Sequence, residues 1–368
     1  MRRADIRLGL VLGSALWAAA CTNTNNNAAP DASRPAMTVE AGPAHAPARL
    51  WYAGAGLDAF TGTQVASSND AGPEYLVITD TDTNFHDVAF DAQGNLWALP
   101  VSGTKGGRPD RIIRVPAAGL ASGSLTLPDL VITSAALASP ESLAFDANGA
   151  LWVLNFSGTS PSVGSIVRFD HPGAQAGEVS LAPSATIGPG ASAAEGRVFS
   201  QMSGLAFDAA GNLWFSAIGD VARLDAPAAL TGAVTASPAA ILTSGDDAFD
   251  SIAFDAGGAL WITGAGGGFF AVRVASPGAL SGTARVAPAA KLHLPSETTL
   301  FAGGMAFDAT GALWIAMSDR ILSIAAAGAL SGEVTPVPAI VLKLSAAFPD
   351  LSSKLVLRPT PPGLPLSF

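Results

Sequence analysis

The chain of 368 residues is poor in most of the groups that carry chemistry on their own. It has a single cysteine, at position 21, and four histidines. Lysine and arginine total 19 against 29 acids, for a formal net charge of −10. The basic residues do not cluster, which argues against a phosphate-binding surface and against nucleic acid as a partner. No glycine-rich phosphate loop leads from a strand into a helix, and no nucleophile elbow is present. Beyond residue 20 no apolar stretch is long enough to span a bilayer. What the chain does have is 40 glycines, 26 prolines and 49% hydrophobic residues. That composition is too apolar for disorder and suits many short strands joined by tight turns.

The start of the chain carries its own signal. MRRADIR supplies positive charge, and Leu8–Ala20 is an apolar run too short to cross a membrane, as in a secretory signal. Cys21 follows at once. The stretch resembles the lipobox of bacterial lipoproteins, although Ala18 stands where leucine is usual. The resemblance implies cleavage before Cys21 and its acylation, which would hold the protein on the membrane of the cell envelope. The alternative is ordinary cleavage that leaves a free thiol. Residues 1–20 are then a signal peptide, and residues 21–47, rich in Asn, Ala and Pro, a flexible tether.

From residue 48 one phrase recurs five times: HDVAFDAQGNLWAL, SLAFDANGALWVL, SGLAFDAAGNLWFS, DSIAFDAGGALWIT and GGMAFDATGALWIA. Aligned on Asp91, Asp146, Asp208, Asp255 and Asp308, each copy has glycine three positions on and tryptophan six positions on. Apolar runs on either side of D-A-x-G read as two strands of a hairpin. The aspartate bonds back to the turn amides, and the glycine takes positive φ. Third strands follow, such as RIIRV, SIVRF, DVARL and RILSI. A turn ending in glycine (Gly123, Gly177, Gly232, Gly282, Gly332) comes next. Pro128, Pro183, Pro238, Pro288 and Pro338 then open a fourth strand, which is expected to be an exposed outer edge.

Two ends remain. RLWYAG supplies a second strand around Trp51, with TGTQV and EYLVIT as third and fourth, and GLPLSF at the C-terminus supplies the missing first strand. The expectation is an all-β, six-bladed β-propeller over residues 48–368, built from four-stranded antiparallel blades, with the first blade closed by the C-terminal strand. An open array of hairpins or a seven-bladed ring are the alternatives. A monomer is expected. The repeat resembles those of NHL-repeat and virginiamycin B lyase-like propellers, most closely in GLAFDAAGNLWFSAIGDVARL. That resemblance implies the fold and says little about function.

Recurrence separates frame from candidate. The five aspartates share one turn, so they read as turn geometry rather than as calcium ligands, and the tryptophans read as blade-to-blade packing. Variable loops lie at the other end of the ring, where binding usually resides. There, just before the first strands, stand His86, Glu141, Ser203, Asp250 and Gly303, with Gln201 and Asp246–Asp247 beside them. Asn155, Asp220, the glycines of 264–268 and Asp319 follow the second strands. Glu141, Asn155 and Asp250 offer the oxygen set that suits Ca²⁺ or Mg²⁺, and His86 is the candidate general acid or base. Gluconolactonase and regucalcin-like propellers use a metal set of this kind, which implies a metal-dependent lactonase or lyase as an alternative. The main expectation is a binding module whose ligand-face residues are Gln201, Ser203, Asp220 and Asp319, and whose partner is a protein, a glycan or a small molecule. Asp80, Asp82 and Asn84 imitate the start of a calcium loop, but Phe85 stands where an EF-hand needs glycine.

Overall fold

The computed structural model describes residues 48–357, apart from 54–56, 69–74, 78–83, 102–109, 122–127, 157–162, 191, 246, 296–301, 318 and 345–353. Cys21, Asp80, Asp82, Gly123, Asp246 and the GLPLSF segment lie outside the described residues. The fold is an all-β propeller of six sheets. Five sheets carry the repeat and are named here by their aspartates. The sixth, the end sheet, is assembled from both ends of the chain.

In each repeat sheet the D-A-x-G hairpin is locked by its aspartate. One oxygen of Asp91 accepts the amide hydrogens of Gln93 and Asn95, at 3.0 and 2.9 Å, and the other accepts Trp97 Nε1–H at 2.8 Å. The same three bonds recur at Asp146, Asp208, Asp255 and Asp308. The turn glycine is needed for its backbone: Gly94 has φ of 78° and Gly211 of 81°, a region costly for residues with a Cβ. Four of the tryptophans, thus oriented, pack on a phenylalanine of the next sheet, as Trp97 does on Phe145 with ring centroids 5.4 Å apart. Trp152–Phe207, Trp214–Phe254 and Trp261–Phe307 repeat the contact. The aspartates are turn locks and the tryptophans fill the sheet-to-sheet core.

The third strands fall where the sequence places them, at Arg111–Val115, Ser165–Phe169, Asp220–Leu224 and Arg320–Ile324. The outer edge differs from expectation. After the third strand the chain makes a 3-10 turn and then leaves its own sheet. Gly177–Ser180 runs parallel to Leu130–Thr133 of the preceding sheet, and Gly232–Ala236, Gly282–Arg285 and Gly332–Val334 do likewise. Four sheets therefore have five strands, and the strands after Pro128, Pro183, Pro238 and Pro288 are covered, whereas Ile340–Lys343 after Pro338 is an outer edge as expected. The positive φ of Gly177, 75°, turns the chain onto its neighbour, and its amide reaches Asp129 O at 2.8 Å.

The expected six-bladed ring is corrected: among the described residues the propeller has five blades, those of the repeat, beside an end sheet of different make. The end sheet has the order Lys354–Leu357, Ala48–Ala53, Leu57–Thr61, Tyr75–Val77. Two sequence assignments need correction here. The third strand is LDAFT, because TGTQV runs into a 3-10 turn at Gln64–Ala66. The strand placed against Trp51 is KLVL, with Trp51 paired to Val356. In the Asp91 sheet Trp97 pairs with Ala89, two residues before the aspartate; two residues after Val356 the sequence has Arg358. Trp51 Nε1, lacking an aspartate, is buried without a partner. Around the axis the inner strands adjoin one another in order, and Lys354–Leu357 touches both Ala302–Phe307 and Phe85–Phe90.

Candidate functional site

The inner strands of the five repeat sheets carry the same defect. Pairing with the second strand slips between Phe85 and Asp87, Pro140 and Ser142, Met202 and Gly204, Phe249 and Ile252, and Ala302 and Met305. A β-bulge leaves a residue out of the ladder and re-aims its side chain. The residues at these bulges are His86, Glu141, Ser203, Asp250 and Gly303, at the end of the ring opposite the aspartate turns. Sequence position alone had grouped them; the bulge supplies the physical reason.

Two of them meet. His86 Nδ1 lies 3.2 Å from Glu141 Oε2, with the two side chains 14% and 19% exposed. Burial works against a charge on His86, but the hydrogen bond and charge of Glu141, with the charges of Asp87 and Asp110, outweigh it and raise the imidazole above its ordinary 6.5. Asp110 also accepts the amide hydrogen of Ser139 at 2.7 Å. Ser139 and Gln201, one residue before the inner strands of the Asp146 and Asp208 sheets, hold left-handed φ values of 46° and 51°. Such conformations in residues other than glycine store roughly 1–3 kcal/mol each and gather where geometry is constrained.

The remaining candidates do not join this pair. Asn155 is 1% exposed, and its amide is spent: Oδ1 accepts Ala138 N–H, and Nδ2 donates to Ala136 O and Ser165 Oγ. The backbone oxygen of Asp250 accepts the hydroxyls of Ser203 and Ser216, which ties the Asp208 sheet to the Asp255 sheet. Of the expected Ca²⁺ or Mg²⁺ set of Glu141, Asn155 and Asp250, Asn155 is thus engaged within its own sheet. Among the described residues no three His, Cys, Asp or Glu side chains come together as a metal requires. Asp220 is 2% exposed and sits beneath Arg197, whose Nε is 2.8 Å away. Burial raises its pKa and Arg197 opposes the rise. Arg197 belongs to a short helix, Ala193–Val198, capped by Ser192 and Glu195. Asp319 is held by Arg320, which lowers its pKa.

Four residues of this end were missed from sequence: Asp87, Asp110, Ser139 and Arg197. The signal for Asp87 was there. At its position the other four repeats have Ser142, Gly204, Ser251 and Gly304.

The fold defines a β-propeller with a polar mouth. Among solved structures the chain is similar to virginiamycin B lyase from Staphylococcus aureus, at 13% identity over 75% of this chain and 74% of that one, with a TM-score of 0.43. It is also similar to the periplasmic gluconolactonase PpgL of Pseudomonas aeruginosa (18% identity, 77% and 80% covered, TM-score 0.48). A protein of unknown function from Bacteroides caccae shows 10% identity over 81% of this chain and all of that one, with a TM-score of 0.47. These are likenesses of fold. No protein-family model and no curated protein matches the sequence. No helix among the described residues is long and apolar enough to cross a membrane.

Proposed function

We propose that the protein is an exported, lipid-anchored binding module of the bacterial cell envelope, acting as a monomer. Its ligand is a small molecule or a glycan received at the mouth. The observation that carries this reading is the half-buried His86–Glu141 pair, set by two bulges of neighbouring inner strands. An imidazolium donor beside a carboxylate acceptor suits a polyhydroxylated or carbonyl-bearing ligand, and one residue per inner strand is a small patch for a protein partner. Export and anchoring rest on residues 1–21. Palmitate labelling of the full chain that disappears in Cys21→Ser, with release of the protein from membranes, is the expected result.

A thermal-shift screen of sugars and lactones tests the mouth. A ligand at 100 times its Kd stabilises by about 2.7 kcal/mol, a readily measured shift. It should raise the melting temperature of the wild type and not of His86→Gln or Glu141→Gln. A ligand that shifts all three equally binds elsewhere. A second reading, a lactonase or lyase, is favoured by the same pair, since an imidazole held on a carboxylate can exchange a proton with a substrate oxygen or carbon. Turnover of a lactone lost in His86→Gln would select it. No metal enters either reading, and melting is expected to ignore chelator.

A further inference from the structure

Asp87 is an anomaly in the repeat. Its position holds serine or glycine in the other four copies, and it is 6% exposed. A buried carboxylate is costly unless its oxygens are well satisfied. Here one oxygen accepts the amide hydrogen of Val88 at 2.8 Å, fixing the carboxylate on its own bulge. The other crosses to the next sheet and accepts Ser142 Oγ–H at 2.6 Å and Leu143 N–H at 2.9 Å. These partners directly follow Glu141, as Asp87 directly follows His86.

Neighbouring inner strands are tied elsewhere by neutral groups. The hydroxyls of Ser203 and Ser216 bond Asp250 O, and Thr263 Oγ1 bonds Gly303 O. A tie between sheets therefore does not need a carboxylate. What Asp87 adds is register: one bond fixes the carboxylate on its own strand and two hold it against 142–143, and the side chains one step earlier on each strand meet as a result.

We propose that Asp87 is a positioning residue, a staple between two inner strands that holds the His86 imidazole on the Glu141 carboxylate. The proposal rests on the reading of that pair as the working site, and it concerns how the pair is held rather than what it binds. A shift of about 1 Å between the strands would part a contact of 3.2 Å, while the apolar packing of the two sheets would absorb it.

The test uses the full chain and the imidazole N–H proton of His86, observed by NMR. A hydrogen bond to a carboxylate moves that proton downfield and protects it from exchange, and its absence in His86→Gln assigns it. Asp87→Ser installs the residue found in two other repeats, so the fold is expected to survive, with melting within a few degrees of wild type. The downfield resonance should be lost, or its exchange accelerated at least tenfold. Ser142→Ala removes one of the two bonds from the opposite strand and should accelerate exchange several-fold. It serves as the measurement should Asp87→Ser not fold. Wild-type protection in the folded Asp87→Ser protein, or in Ser142→Ala where that is the measurement, would overturn the proposal. So would the absence of the resonance from the wild type, since there would be no pair to position. Failure of every ligand in the screen, with these resonances behaving as described, would strike the binding reading and leave the staple intact.

Discussion

Among the described residues, three successive sheet junctions carry an arginine clamp that the others lack. Arg114, Arg168 and Arg223 occupy the third-strand position opposite the tryptophan, and each guanidinium lies 5.4–5.6 Å from that ring. Each also donates to the middle carbonyl of the next repeat's 3-10 turn: Gly173, Ala228 and Gly278, at 2.8, 2.7 and 3.0 Å. The next sheet has Arg273, but its Nε has no hydrogen-bond partner and leans toward Asp255 at 3.5 Å. Opposite Trp314 stands Ser323, and opposite Trp51 stands Ala59. Identical hairpins thus sit in two mechanical settings, and the His86–Glu141 pair lies at the first clamped junction. The proposed site thus falls where the two sheets are tied by an arginine as well as by packing.

The sharpest way to break this comparison is to attack the closing sector. Deleting residues 354–368 removes the inner strand paired with Leu50–Ala53. Leu50, Trp51 and Tyr52 are fully or almost fully buried, and each such side chain contributes roughly 1.5–3 kcal/mol when out of water. The truncated chain is expected to lose cooperative melting altogether. Retention of a wild-type transition would mean that the end sheet stands without its inner strand.

Next in size is the turn lock. Asp208→Ala leaves Trp214 Nε1 without its acceptor at 2.9 Å and frees two turn amides. A buried donor left unpaired costs about 1–3 kcal/mol, so denaturant titration should show a loss in that range. Trp51 already lives with this defect, so Trp51→Phe is expected to cost less than Trp214→Phe.

The clamp itself comes third. Arg168→Ala removes a ring contact and a charge-assisted bond to the next sheet, about 1–3 kcal/mol together. Ser323→Ala, at the same repeat position, should fall within about 0.5 kcal/mol of wild type. Equal costs at the two positions would erase the distinction between clamped and closing sectors.

Much of this frame was legible in the sequence, and for a physical reason. The hairpin, the tryptophan and the third strand are local, and five copies multiply a weak signal into a strong one. The crossing strands were not legible. Gly177–Ser180 and Gly282–Arg285 are mostly exposed, carry no alternating apolar face and pair with a different repeat. The strand against Trp51 was misplaced because only the period guided it, and the register shows KLVL to be the apolar run that fits. At the mouth, grouping His86 with Glu141 was possible from alignment. Asn155 misled because a polar residue at a strand end looks available, whereas its amide is consumed by the backbone at 136–138.

The smallest expected effect is also the most local. The pKa of His86 is raised in the folded protein; burial opposes this, but the bond to Glu141 and the charges of Glu141, Asp87 and Asp110 prevail. The folded state therefore holds the proton more tightly than the unfolded chain does. The resulting stability is fully present below the ordinary histidine value and fades as pH rises through the folded pKa. Unfolding free energy measured from pH 5.5 upward should fall over that window in the wild type, and His86→Gln should lack that component of the slope. Because the pair lies at a clamped junction, the loss should appear first as faster hydrogen exchange in Phe85–Phe90 and Pro140–Phe145, with the Asp308 sheet unchanged. A pH response spread evenly over all the sheets would instead tie the titration to the scaffold as a whole, and the site would lose its mechanical distinction from the rest of the ring.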